Sequence, residues 1–184
     1  ARLGLSPVGV SFLALAVALA MPLLAWGLPL AHAPWAVALA GALFQVLDCA
    51  DGTLARVTGR TSKTGGDLDF LVDMTQWGLL YLAIGLLADR VLGADGWATL
   101  AAMAGWVRLL ARVIRDRLQG PEDGVPGPLT PADWLPMLIG GISGLIPILA
   151  LTGDYLGWAV WALMIYSMLD VAEGLLPLAR DLRR

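Results

Sequence analysis

Five of the fifteen acidic residues in this 184-residue chain lie in one short stretch, between positions 48 and 73. Asp48 and Asp51 are three residues apart and Asp69 and Asp73 are four apart, so each pair shares one face of an α-helix. Four converging carboxylates repel one another unless a cation lies between them. A donor set of oxygens without histidine or cysteine favours Mg²⁺, Mn²⁺ or Ca²⁺ over zinc. The spacing therefore predicts a divalent-metal site.

Small residues and one arginine accompany these carboxylates. Gly52 and Ala55 continue the stripe of the first aspartate pair, and Gly65 precedes the second pair. Missing or short side chains let a ligand approach the backbone, and Arg56 offers a fixed cation suited to phosphate. Together these residues predict a metal–diphosphate site, an arrangement suited to displacement at phosphorus.

The alternative for any single aspartate is that it caps a helix or pairs with an arginine. Four carboxylates in two facing pairs do not fit that alternative. We keep it for Asp67, which we predict to be the cap or a first-turn acid of the third helix.

The elements that must position these residues are membrane helices. The chain is 58% hydrophobic and 15% charged, with a mean hydropathy of +0.74, whereas soluble domains are about 45–50% apolar and about 25% charged. Six apolar stretches are long enough to cross a bilayer: residues 7–27, 34–57, 67–88, 94–114, 134–151 and 155–178. We predict an all-α integral membrane protein with six spans and a single domain, residues 1–184. A signal peptide is the alternative for the first stretch, but five further stretches follow it.

Basic residues predict the orientation of the spans. They concentrate at both termini and around the breaks after the second and fourth helices, at Arg2, Arg56, Arg60, Lys63, Arg112, Arg115, Arg117, Arg180, Arg183 and Arg184. Six spans place these four regions on one side, and the positive-inside rule makes that side the cytoplasm. Both aspartate pairs then lie near the cytoplasmic face.

Charge and hydropathy also bear on the class of function. A net charge of −3 gives no positively charged surface that would attract nucleic acid.

A transporter that uses the acidic cluster as a cation pathway is an alternative function. Such a pathway should continue across the membrane, whereas the outer halves of the second and third helices carry no chain of polar residues.

The acidic segment resembles the signature of a known enzyme family. It reads Asp48-x2-Asp51-Gly52-x2-Ala55-Arg56-x8-Gly65-x3-Asp69-x3-Asp73. All eight fixed positions match the CDP-alcohol phosphotransferases, also called CDP-alcohol phosphatidyltransferases. Many members also have an amphipathic helix before the first span, and the printed sequence starts almost directly at that span.

The resemblance implies an activity. Family members transfer a phospho-alcohol group from a CDP-linked donor to a hydroxyl and release CMP. The donor is usually CDP-diacylglycerol and the acceptor a small polar alcohol, as in phospholipid biosynthesis. In a second branch, a CDP-linked polar head group is transferred to a lipid hydroxyl. The resemblance also implies a homodimer, and we expect a multi-pass protein of a bacterial cytoplasmic membrane with its site facing the cytoplasm.

The resemblance further implies a role for each matched residue. Two divalent ions, Mg²⁺ or Mn²⁺, are expected at Asp48, Asp51, Asp69 and Asp73. Asp73 is also the expected general base. The expected residues of the CDP site are Asp48, Asp51, Gly52, Ala55, Arg56, Gly65 and Asp69.

Three arginines are candidates for binding the acceptor. Arg108, Arg112 and Arg115 fall at i, i+4 and i+7 on one face of the fourth helix, where they could bind a phosphate of glycerol phosphate or inositol phosphate. The alternative is that they anchor the helix at the membrane surface. Asp170 and Glu173 in the last span are predicted to pair with an arginine of the fourth helix, and the alternative is that they contact the acceptor.

Overall fold

The computed structural model describes residues 6–59, 62–119 and 143–181. Five α-helices occupy most of these residues: α1 (Pro7–Gly27), α2 (Ala33–Thr58), α3 (Lys63–Leu92), α4 (Trp97–Gln119) and α5 (Leu156–Asp181). Two short 3₁₀ helices, Ile146–Leu151 and Gly153–Tyr155, precede α5. The described ranges contain no strand, which agrees with the predicted all-α fold.

All five α-helices are long and apolar enough to cross a membrane. They correspond to five of the six predicted spans, with ends that differ by a few residues. The largest difference in length is in α3, which extends from Lys63 to Leu92, beyond the predicted 67–88 at both ends. The architecture is therefore that of a helical integral membrane protein.

The predicted fifth span, 134–151, falls mainly outside the described residues. Its described end differs from the prediction, because residues 146–151 form a 3₁₀ helix instead of continuing an α-helix. Pro147 explains this difference. Proline has no N–H to donate to the preceding turn, and its ring clashes with the carbonyl of the residue four positions earlier.

The turn between α2 and α3 places both aspartate pairs at one end of the bundle. Gly59 ends α2 in a left-handed conformation, with φ of 65°. Ser62 then caps α3, because its hydroxyl accepts a hydrogen bond of 3.0 Å from the Gly65 N–H. The prediction that Asp67 caps α3 or lies in its first turn is wrong, because the hydroxyl of Ser62 starts the helix four residues earlier.

The first helix packs against both α2 and α3, whereas α2 and α3 share fewer contacts with each other. Its buried face consists largely of small residues, including Ala14, Ala18 and Ala25, which allow close approach of the neighbouring helices. Ser6 caps this helix, and its hydroxyl accepts a hydrogen bond of 3.1 Å from the Gly9 N–H. The apolar α1 is therefore a neighbour of both acidic helices.

Polar side chains tie the helices together at the opposite end of α3. Arg90 donates hydrogen bonds to the carbonyls of Ala25 and Leu28, at the end of α1. Asp89 accepts hydrogen bonds from the backbone N–H groups of Trp97 and Ala98, at the start of α4. These contacts satisfy backbone groups that a helix end leaves unpaired. They fix the positions of α1 and α4 relative to α3.

Close backbone contact holds α3 against α4. A Cβ atom added at Gly85 would lie 2.6 Å from the Cβ of Ala101 and 2.7 Å from the Cα of Ala98. Since the obstructing atoms belong to the backbone or lie next to it, only glycine fits at this crossing. The last helix, α5, packs mainly against α4 and also against α3.

Candidate active site

Three aspartates from two helices meet at one end of the bundle. Asp48 and Asp51 extend from the last part of α2, and Asp69 extends from the first part of α3. One carboxylate oxygen from each lies within 4.8 Å of the others. Asp51 is buried, Asp48 is half-buried and Asp69 is exposed, so the cluster runs from the interior of the bundle to its surface. The structure therefore brings together three of the four carboxylates that the sequence predicted to converge.

The fourth predicted carboxylate, Asp73, lies one helical turn beyond Asp69 and is half-buried. It is not part of the three-residue cluster, but it is close enough to interact electrostatically with Asp48 and Asp69. Its other neighbours are the Trp77 side chain and the positive charge of Arg112. Asp73 thus interacts electrostatically both with the cluster and with arginines of α4.

The donor set fits a divalent cation. In the described ranges, no lysine or arginine nitrogen lies within 4.0 Å of the three clustered carboxylates. The Oδ1 atom of Asp51 is buried and has no hydrogen-bond partner among the residues that the structure describes. A buried carboxylate oxygen without a donor is costly in a protein interior, and a bound cation removes that cost.

One residue of the site was missed by sequence analysis. Ser11 of α1 is buried, and its hydroxyl lies 2.6 Å from Oδ2 of Asp51, forty residues away in sequence. A single serine in an apolar helix gives no signal of such a role. The only hint in the sequence is that a hydroxyl occurs inside an otherwise apolar span.

A cavity of about 350 Å³ opens beside the cluster. Its walls include six of the seven residues expected at a CDP site: Asp51, Gly52, Ala55, Arg56, Gly65 and Asp69. The first turn of α1 forms another wall with Ser6, Pro7, Val8 and Ser11. The seventh expected residue, Asp48, belongs to the carboxylate cluster but not to this wall. The cavity thus combines two carboxylates, a guanidinium and several residues with little side chain.

Two of the three candidate acceptor arginines are occupied by an internal ion pair. Arg108 and Arg115 both bind the carboxylate of Asp170 on α5, whose side chain is 1% exposed. Glu173 lies 3.9 Å from Arg115. The prediction that Asp170 and Glu173 pair with the fourth helix is confirmed.

Aromatic rings further confine Arg108. Its guanidinium carbon lies 5.4 Å from the ring centroid of Trp77 and 4.8 Å from that of Tyr166, which is within cation–π range. Arg112 differs, because it is exposed and no acidic partner lies within 4.0 Å of it in the described ranges. It lies over the Phe70 ring, on the side of Asp73. Arg112 is therefore the member of the three that remains able to bind an anion.

Loss of the Asp170 carboxylate should destabilise the bundle. We expect Asp170→Ala to lower the free energy of unfolding by about 3–5 kcal/mol, because it leaves two partly buried arginines without their partner. Thermal unfolding of the purified protein in detergent measures this effect. Asp116→Ala is the control, because Asp116 is exposed on α4. Equal melting temperatures for the two variants would contradict the assigned role.

Comparison with known proteins places this geometry in a family. The sequence model for CDP-alcohol phosphatidyltransferase matches residues 7–166. The crystal structure of the phosphatidylinositol phosphate synthase of Mycobacterium tuberculosis, in its apo form, superposes with a TM-score of 0.58. The superposition covers 95% of this chain and 89% of that chain at 20% sequence identity, which shows a shared fold. No curated protein sequence matches the chain significantly.

The family match extends over most of the chain and includes α1 to α4 and the first part of α5. It also contains every residue of the carboxylate cluster and of the adjoining cavity except Ser6. Members of this family use a divalent metal and act on a CDP-linked donor and an alcohol acceptor in a lipid environment. The chain therefore belongs to the CDP-alcohol phosphatidyltransferase family, and it is a membrane-embedded transferase of phosphate-containing groups that acts in phospholipid head-group transfer.

Proposed function

We propose that the protein transfers a phosphatidyl group from CDP-diacylglycerol to the hydroxyl of a small polar alcohol and releases CMP. The observation that carries this proposal is the carboxylate cluster of Asp48, Asp51 and Asp69 beside a cavity of about 350 Å³ that contains Arg56. Oxygen ligands for a cation, a guanidinium for phosphate and bare backbone at Gly52 suit a nucleoside diphosphate.

The donor would bind with its diphosphate between the cluster and Arg56. The guanidinium of Arg56 extends back along α2 over Gly52, where an added Cβ would lie 3.5 Å from one of its nitrogens. Ala55 and Gly65 keep the neighbouring wall free of long side chains. Asp48, Asp51 and Asp69 would hold two Mg²⁺ or Mn²⁺ ions, with Asp73 as a further ligand. When bound, these ions supply charge neutralisation to the diphosphate and to the departing CMP.

The chain's own residues then perform the transfer. Asp73 accepts the proton of the acceptor hydroxyl. The oxygen of that hydroxyl attacks the phosphorus atom that is bonded to the diacylglycerol oxygen. A new P–O bond forms to the acceptor, and the bond from the same phosphorus to the bridging oxygen breaks. CMP leaves with that electron pair. Asp73 suits this role because it lies beside the cluster instead of within it, with its charge also facing α4.

Arg112 is our candidate for recognising a phosphate on the acceptor. Arg108 and Arg115 are bound to Asp170, whereas Arg112 is exposed near Asp73. A phosphorylated alcohol held by Arg112 would place its hydroxyl towards the base. The similarity in fold to a phosphatidylinositol phosphate synthase makes inositol phosphate a natural first acceptor to examine, together with glycerol phosphate.

The setting of the enzyme follows from the same proposal. One substrate is a lipid and the other is water-soluble, so the site belongs at the membrane boundary. We propose that this boundary is the cytoplasmic side of a bacterial membrane, and the basic residues around the loops support that orientation. We also propose a homodimer, as the family resemblance implies.

The activity can be tested directly with purified protein in detergent–lipid micelles. We expect CDP-diacylglycerol and a phosphorylated alcohol to yield CMP and a new phospholipid, identified by mass. Inositol phosphate, glycerol phosphate, inositol and serine form the acceptor panel. Because no lysine or arginine nitrogen of the described residues lies within 4.0 Å of the clustered carboxylates, a chelator should abolish turnover and Mg²⁺ or Mn²⁺ should restore it. Reaction only of CDP-choline or CDP-ethanolamine with diacylglycerol would show that the donor belongs to the second branch. Activity unchanged by chelator would refute the metal site.

The proposed base can be tested by a single substitution. Asp73→Asn should lower kcat by about 100-fold or more, since general-base catalysis contributes about 10²–10⁴-fold. CMP release under saturating substrates and metal measures this change. Asp67→Asn is a matched control, because Asp67 is an exposed aspartate on the same helix outside the cluster. Wild-type turnover in Asp73→Asn would remove Asp73 from the mechanism.

Acceptor recognition by Arg112 predicts a selective effect on KM. Arg112→Ala should raise KM for a phosphorylated acceptor by about 10-fold or more, because a hydrogen bond to a charged group contributes about 1.5–3 kcal/mol. KM for CDP-diacylglycerol should remain unchanged. Arg117→Ala, which removes an exposed arginine from the same helix, provides the comparison. If both variants raise KM equally, the effect comes from general surface charge and not from a binding site.

A further inference from the structure

The metal-site carboxylate that lies deepest is held by a helix outside the family's acidic motif. The hydroxyl of Ser11 lies 2.6 Å from Oδ2 of Asp51, and both residues are buried, with exposures of 5% and 4%. Ser11 belongs to α1, whereas the clustered aspartates belong to α2 and α3. This contact therefore joins a third helix to the cluster.

The hydroxyl of Ser11 has two acceptors within reach. It lies 3.2 Å from the Pro7 carbonyl and 2.6 Å from the Asp51 carboxylate. A hydroxyl has one proton, and charge-assisted O–H···O⁻ bonds are typically about 2.5–2.7 Å long. The shorter contact is therefore the one to which Ser11 donates, and the Pro7 carbonyl is a weaker second acceptor.

Because of this hydrogen bond, the two carboxylate oxygens of Asp51 have different surroundings. Oδ2 accepts a hydrogen bond from Ser11, while Oδ1 is buried and has no hydrogen-bond partner within the described ranges. The carboxylate oxygens that define the cluster lie within 4.8 Å of one another, so a rotation of the Asp51 side chain would alter the arrangement. A hydroxyl that holds one oxygen in place limits that rotation and leaves the other oxygen available to a cation.

We propose that Ser11 is a positioning residue of the metal site, which orients the Asp51 carboxylate so that its free oxygen points towards the bound cation. The proposal rests on the metal-dependent transfer proposed above. It assigns the apolar α1 a direct part in metal binding. Partners of metal ligands commonly affect metal affinity by about 10- to 100-fold.

The test compares Mn²⁺ binding by the wild-type protein and Ser11→Ala in detergent, measured by electron paramagnetic resonance. We expect Ser11→Ala to bind Mn²⁺ about 10-fold more weakly. The metal concentration for half-maximal CMP release should rise in parallel. Ser11→Thr, which keeps the hydroxyl, should bind Mn²⁺ more tightly than Ser11→Ala.

Ser167→Ala is the matched control. Ser167 is also a buried serine whose hydroxyl donates to a backbone carbonyl, that of Leu163, but it lies on α5 beside Tyr81 and not beside the cluster. Its Mn²⁺ affinity should match that of the wild type. Wild-type affinity in Ser11→Ala, or an equal loss in Ser167→Ala, would overturn the proposal. Absence of Mn²⁺ binding by the wild-type protein would instead refute the metal site itself, and with it the basis for the role of Ser11.

Discussion

A carboxylate inside a bundle of membrane helices must be neutralised, and this requirement organises the structure. Asp170 is neutralised by Arg108 and Arg115, and Asp89 accepts hydrogen bonds from two N–H groups at the start of α4. The clustered aspartates of α2 and α3 have no basic partner within 4.0 Å in the described ranges. In the proposed function, a divalent cation bound among these carboxylates neutralises their charge.

The two acidic centres therefore perform different tasks. The Asp170 centre is an internal ion pair that joins α4 to α5, and Arg108 also lies within cation–π distance of two aromatic rings. The other centre stays open to a cavity. Two of the three arginines of α4 bind Asp170, and among the described residues Arg112 is the one of the three without an acidic partner within 4.0 Å. This division explains how a row of arginines with one spacing can contain members with unrelated roles.

The sequence predicted the site well where its information is local. Both aspartate pairs, Gly52, Ala55, Arg56 and Gly65 lie within 26 residues, and helical periodicity together with one short turn brings most of them to the same place. Contacts between distant segments could not be predicted in this way. The spacing of Arg108, Arg112 and Arg115 does not indicate which of them bind Asp170. The change from α-helix to 3₁₀ helix at Pro147 was also not predicted. A run of apolar residues indicates that a segment is long enough to cross the membrane, but it does not show where a proline interrupts the backbone hydrogen bonds.

The position of α1 shows why the apolar part of the fold belongs to the site. This helix is fixed at one end by hydrogen bonds from Arg90 to its last carbonyls, and at the other it meets Asp51 through Ser11. Between these ends, small buried residues such as Ala14 and Ala18 allow it to pack closely against α2 and α3. Closely packed interiors resist deformation. Because α1 is held at both ends and along its length, the Ser11 hydroxyl keeps a fixed position relative to Asp51. The geometry of the carboxylate cluster then depends on packing along the whole length of α1, and not only on the acidic motif itself.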